Sequence, residues 1–193
     1  MKINNKYAIW GTALTALLVV AVVYRKHIRA GVRDVVNYAF TAQQDAYLKE
    51  LHPKYINTFK KFIAEVETAT PYKVLITSGY RSFQKQAELA KNGQNAPAGK
   101  SLHNYGGAID LNLISKKDGS SIRKADTSAT WEKTGIVRIA NKYGLKWGGN
   151  GNFGSYHDPV HFEIPLGGAN LYALAIKQFG KESKVIGNRV NLA

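Results

Sequence analysis

Two short stretches, far apart in the chain, set the strongest condition on any fold this sequence can adopt. One reads Ser101-Leu102-His103-Asn104-Tyr105-Gly106-Gly107-Ala108-Ile109-Asp110, the other Asp158-Pro159-Val160-His161-Phe162-Glu163. Two imidazoles, His103 and His161, and two aspartates, Asp110 and Asp158, are enough for a three-ligand metal site with a spare carboxylate beside it. Catalytic zinc usually takes three protein ligands and leaves the fourth position open. No local spacing brings His103, Asp110 and His161 together, so the tertiary fold must do it. The chain has no cysteine, which excludes disulfides and thiolate zinc sites; any ion is held by His, Asp or Glu.

The residues around these groups fit such a task. Gly106 and Gly107 allow a tight turn after His103. Residues 108–114 alternate, with Ala108, Asp110 and Asn112 on one side and Ile109, Leu111 and Leu113 on the other, which predicts a half-buried strand carrying Asp110 towards a cleft. Pro159 stiffens the backbone beside Asp158. A turn can bring Asp158, three residues before His161, near an ion without making it a ligand, where it can move protons. Residues 160–164 read as a strand with His161 and Glu163 on one face. His157 is expected to point away from His161, and His27 and His52 lie outside the motif region.

The rest of the chain supplies a frame. Tyr55, Ile56, Phe59, Phe62, Ile63 and Val66 recur at helical spacing, after Pro53 and before Pro71. Residues 72–77 read as a strand. Ser82 caps a helix expected to run to about Asn92, and residues 93–100 form a loop. Residues 115–129 form a polar loop. Thr130 is expected to cap a helix running to Gly144, with a short strand at 145–147 and a last helix at about 169–179. The expected class is α+β, a small, mainly antiparallel sheet with flanking helices.

Residues 7–24 contain no charge and would span about 27 Å as a helix, enough for a bilayer core. Tyr7, Trp10 and Tyr24 sit where interfacial aromatics belong. The run ends without a small-residue cleavage site, which favours an uncleaved transmembrane helix over a signal peptide. The expected organisation is a tail at 1–6, a single-pass anchor at 7–24, a connector at 25–54, a domain at 55–179 and a tail at 180–193. The flanking charges lean towards a cytoplasmic domain, and the substrate class reached below requires the opposite side. The net charge is +14, from 27 basic and 13 acidic residues. It draws the protein to polyanions, but the lysines are scattered, and no specific nucleic acid is expected as a partner.

The motifs resemble those of a known family. Ser101-x-His103-x-x-Gly106-x-Ala108-x-Asp110 and Asp158-x-x-His161 are similar to the two zinc motifs of the D-alanyl-D-alanine carboxypeptidase family, part of a wider group with lysostaphin-like peptidases and the Hedgehog signalling domain. Trp147-Gly148-Gly149, the Asp-Pro-x-His-Phe run and Ser78-Gly79-Tyr80-Arg81-Ser82 resemble the branch of L-alanyl-D-glutamate endopeptidases from phage endolysins and bacterial wall enzymes. The likeness covers about residues 70–166. It implies one zinc ion on His103, Asp110 and His161, Asp158 as general base and acid, and Arg81 holding a substrate carboxylate or the tetrahedral intermediate. It also implies Ser101 near the substrate, with Tyr80 and Trp147 either lining the cleft or filling the core.

The function this implies is zinc-dependent cleavage of peptidoglycan stem peptides, by endopeptidase or carboxypeptidase action, in a membrane-anchored protein of phage or bacterial origin facing the wall. The alternative is a zinc-holding module that docks without catalysis, against which the intact Asp158 argues.

Overall fold

A computed structural model describes residues 41–179 apart from Asn92, Gln94 and Ser155. The expected membrane segment at 7–24, both tails and most of the connector lie outside the described residues. No helix among the described residues is long and apolar enough to cross a membrane.

The sheet is built around β2, Ala108–Ser115. On one side it pairs antiparallel with β1, Tyr72–Ser78. On the other it pairs antiparallel with β5, His161–Glu163, which in turn pairs with β4, Lys146–Trp147. The strand order is β1-β2-β5-β4, with the short β3, Ser121–Ile122, added to the far end of β2. This is the expected small antiparallel sheet.

The inner face follows from the alternation of β2. Ile109, Leu111 and Leu113 are fully buried with Val74, Ile76 and Phe162. Helix α2, Pro53–Ala69, lays Phe59, Phe62 and Val66 against them. Pro53 sits in its first turn, where a missing N–H costs nothing, and the His52 ring accepts from the Lys54 amide as an N-cap. Phe62 and Phe162 meet with ring centroids 5.3 Å apart. Fully burying each such side chain contributes about 1.5–3 kcal/mol.

Three readings are corrected. Residues 41–50 form a helix, α1, where a connector was expected, and Leu48 and Leu51 join the core. The helix expected from Thr130 to Gly144 is two helices, α4 at Ser128–Lys133, capped by Thr127, and α5 at Ile136–Lys142. They are separated by Gly135, whose φ of 83° breaks the helical path. Strand β2 is buried on both faces near its start. A second cluster made of Phe83, Leu102, Tyr105, Ala108, Leu171 and Ala175 covers the other side. Apart from Ala108 of β2 itself, these residues come from α3 at Phe83–Ala90, a 3-10 helix at Leu102–Tyr105, and α6 at Gly168–Phe179.

Candidate metal centre and cleft

The register of β2 against β5 solves the problem posed by the separated stretches. Asp110 and His161 are direct partners on neighbouring strands. His103 arrives from the 3-10 helix just before β2. That helix is capped by Ser101, whose hydroxyl accepts from the His103 amide at 3.4 Å. It ends at Gly106 with φ 63°, where a Cβ would stand 2.4 Å from the His52 nitrogen. Only glycine fits there, while Gly107 has room to spare.

Three donor atoms converge. His103 Nε2 lies 3.1 Å from Asp110 Oδ1 and 3.1 Å from His161 Nδ1, and the last two are 2.9 Å apart. His103, Asp110 and His161 are all buried. Among the described residues, these three form the one group of His and acidic side chains placed to hold a metal ion.

The outer hydrogen bonds fix what those atoms are. His103 Nδ1 is 2.6 Å from the Gly79 carbonyl, which only accepts, so Nδ1 carries the proton and Nε2 a lone pair. His161 Nε2 is 3.0 Å from Glu163 Oε2; an ionised carboxylate likewise leaves Nδ1 as the lone pair. Two imidazole lone pairs and a carboxylate oxygen then face one another across a triangle about 3 Å on a side. Tetrahedral zinc with bonds of about 2.0 Å has ligand atoms roughly 3.3 Å apart. Such a triangle is repulsive when empty of positive charge and suits a divalent cation, so the residues fit the zinc that the sequence resemblance implies.

The ionisation of the cluster follows the same logic. Burial, helped by the nearby His161 and Arg81 charges, pushes the His103 imidazole down against the raising effect of Asp110. Burial also works to raise Asp110, but contacts with His103 and His161 outweigh it and hold the carboxyl well below its usual value. Burial would lower His161, yet hydrogen bonds to Asp110 and Glu163 raise it to about 9. A proton on His161 thus does in the metal-free protein what a cation does in the loaded one.

The remaining candidates fall into place around this centre. A bulge between Ile76 and Ser78 swings the end of β1 over Asp110. That bulge delivers both the Gly79 carbonyl and Arg81. The guanidinium is engaged by Ser78 Oγ at 2.8 Å, Gln86 Oε1 at 3.4 Å and Asp110 Oδ2. Three of the five arginine donors are so used, leaving two for a ligand. Asp158 is placed by backbone bonds on both sides of Gly148: its amide donates to the Gly148 carbonyl at 3.0 Å, and the Gly148 amide to the His161 carbonyl at 2.9 Å. A Cβ on Gly148 would stand 2.4 Å from the Asp158 carbonyl oxygen. The Asp158 carbonyl also accepts from the His161 amide at 3.0 Å, closing the expected turn.

A cleft of about 460 Å³ runs over the centre, lined by Arg81, Ser101, His103, Asp158, His161 and Glu163 among others. Tyr80 and Trp147 do not line it. Trp147 is a core residue, buried, with its indole donating to the Pro159 carbonyl at 2.8 Å. His157 is exposed and outside the cleft lining.

Two buried amides went unnoticed in the sequence. Asn104 bonds the Arg81 and Ser82 carbonyls and accepts from the Gly99 amide, tying the segment after β1 to the loop before the 3-10 helix. Gln86 joins Arg81 to the Ala96 carbonyl. Their only sequence signal was proximity to the motifs.

Residues 94–164 match the D-alanyl-D-alanine carboxypeptidase family. A peptidoglycan L-alanyl-D-glutamate endopeptidase of Bacillus subtilis (strain 168), CwlK, is 38% identical over 105 residues, covering 47% of this chain and 60% of that protein. The chain therefore spans 60% of the length of this curated relative. Among solved structures, the L-Ala D-Glu endopeptidase ChiX of Serratia marcescens aligns with a TM-score of 0.49 at 21% identity, over 65% of this chain and 88% of that one. DacB from Streptococcus pneumoniae D39 aligns with a TM-score of 0.42 at 20% identity, over 67% and 77%.

Proposed function

We propose that this chain, whose residues 94–164 match the D-alanyl-D-alanine carboxypeptidase family, is a zinc peptidase hydrolysing an amide bond of peptidoglycan stem peptides. What carries the reading is the convergence of three lone-pair donors in one buried corner of a cleft whose wall also holds Asp158. His103, Asp110 and His161 would hold one zinc ion. Bound zinc supplies a Lewis acid that polarises the scissile carbonyl and makes water acidic near neutral pH.

The protein's own groups do the rest. Asp158 accepts the proton of the attacking water and returns it to the departing amine. The two unengaged donors of Arg81 hold a substrate carboxylate or the developing oxyanion. Ser101, besides capping the turn that carries His103, offers its hydroxyl to the substrate. Glu163 and the Gly79 carbonyl fix the two imidazoles so that the correct nitrogens face the ion.

The bond between L-alanine and D-glutamate is the first candidate, because the named activity of the 38% identical relative is that of an L-alanyl-D-glutamate endopeptidase. Zinc-loaded protein incubated with purified peptidoglycan should release new amino termini, and mass spectrometry of the fragments names the bond. Loss of terminal alanine alone would instead make it a carboxypeptidase, and intact wall peptides would refute the reading.

The reading includes a membrane anchor at residues 7–24 with the peptidase domain on the wall side. Full-length chain should stay with membranes through alkaline washing, and protease added outside spheroplasts should digest the domain. Recovery in the soluble fraction would remove the anchor from the account.

A further inference from the structure

The loop between β3 and α4 sends a cation to the edge of the cleft. Lys124 Nζ lies 3.1 Å from Asp158 Oδ1 and 3.3 Å from the Tyr156 hydroxyl, with its charge 5.3 Å from the Tyr156 ring centroid. The loop is tethered beside it. The Arg123 carbonyl accepts from the indole of the fully buried Trp131, and the Arg123 amide donates to Asp126.

Asp158 Oδ1 is itself buried and has no aligned hydrogen-bond partner. Its contact with Lys124 is an ion pair by distance, without hydrogen-bond alignment. A buried carboxylate oxygen with neither hydrogen bond nor counter-charge is costly. Most surface lysine–aspartate pairs contribute little, because both charges are solvated. This pair differs in that only the lysine is half in solvent, at 55% exposure, while the aspartate side chain is at 14%.

We propose that Lys124 is a positioning residue for Asp158. It occupies Oδ1 and joins the loop before α4 to the loop before β5, so that the carboxylate is held in one orientation. The proton taken from water then goes to the carboxylate so held, and leaves from there to the amine. Lys124 itself gains and loses no proton in the reaction.

This inference rests on the peptidase reading, and two measurements separate their failures. In the first, Lys124→Met should lower kcat on a stem peptide about tenfold with KM within about twofold, at unchanged zinc content, and Lys124→Arg should restore most of the rate. In the second, which needs no activity, thermal midpoints are compared for Lys124→Met, Asp158→Asn and the double variant. The double should fall no further than the worse single variant, because both break one pair. A wild-type kcat in Lys124→Met, a loss confined to KM, or additive midpoint changes would each overturn the proposal. A zinc-loaded wild type that cleaves no stem peptide refutes the peptidase reading, and with it a catalytic role for Lys124; the midpoints then decide whether the pair exists.

Discussion

If the proposed zinc-peptidase reading holds, Asp158→Ala should all but stop peptide hydrolysis while the protein retains bound zinc. Removing a general acid and base from a reaction of this type costs about 10²- to 10⁴-fold in rate. The two readouts separate because of where the residue sits. Asp158 is not one of the three converging donors, so the ion has no reason to leave. Its side chain meets Lys124, which is half in solvent and can rehydrate when its partner goes. The backbone bonds from Asp158 to Gly148 and from His161 to Asp158 do not depend on the side chain. Metal analysis and stem-peptide turnover on the same preparation check the result. Full activity in the variant would make this a metal-holding module whose aspartate is ornamental, and loss of zinc with activity would make Asp158 a ligand.

The strand that carries Asp110 was legible from its alternation alone, because a period of two places Ile109, Leu111 and Leu113 in the core without knowledge of the rest of the fold. The grouping of His103, Asp110 and His161 as candidate metal ligands was not legible that way. Asp110 and His161 are partners across β2 and β5, a pairing that depends on chain topology; only the likeness of whole motifs to a known family grouped them. Glu163 shows the limit differently. Its spacing put it on the face of His161, but a solvated carboxylate has the same spacing, and only the ring orientation seen at 3.0 Å decides. The break at Gly135 was hidden because Ile136 and Ile139 continue the apolar pattern across it. Lys124 left no trace at all: one lysine among many, its partner lies more than thirty positions on.

Zinc should raise the thermal midpoint markedly, and a chelator should lower it. In the metal-free protein His103 Nε2, His161 Nδ1 and Asp110 Oδ1 are held within 3.1 Å of one another, on two paired strands and the 3-10 helix that leads into one of them, and a zinc ion would take the place of the His161 proton. An ion that binds this arrangement and not the unfolded chain stabilises by about 4 kcal/mol when free zinc is a thousandfold above its dissociation constant. For a domain of about this size that moves the midpoint by roughly 10 °C. His161→Ala removes a ligand and should abolish the shift. Glu163→Gln is the more discriminating change. It leaves all three ligands but replaces a charged acceptor on His161 Nε2 with a neutral one, which weakens zinc binding by about 10- to 100-fold. At fixed zinc that is about 1.4–2.7 kcal/mol of the stabilisation, so the midpoint should fall part of the way towards the metal-free value. A midpoint indifferent to chelator would mean the triangle holds no ion. A Glu163→Gln variant with the full zinc shift would mean that the Gly79 contact on the other imidazole orients the site without help from β5.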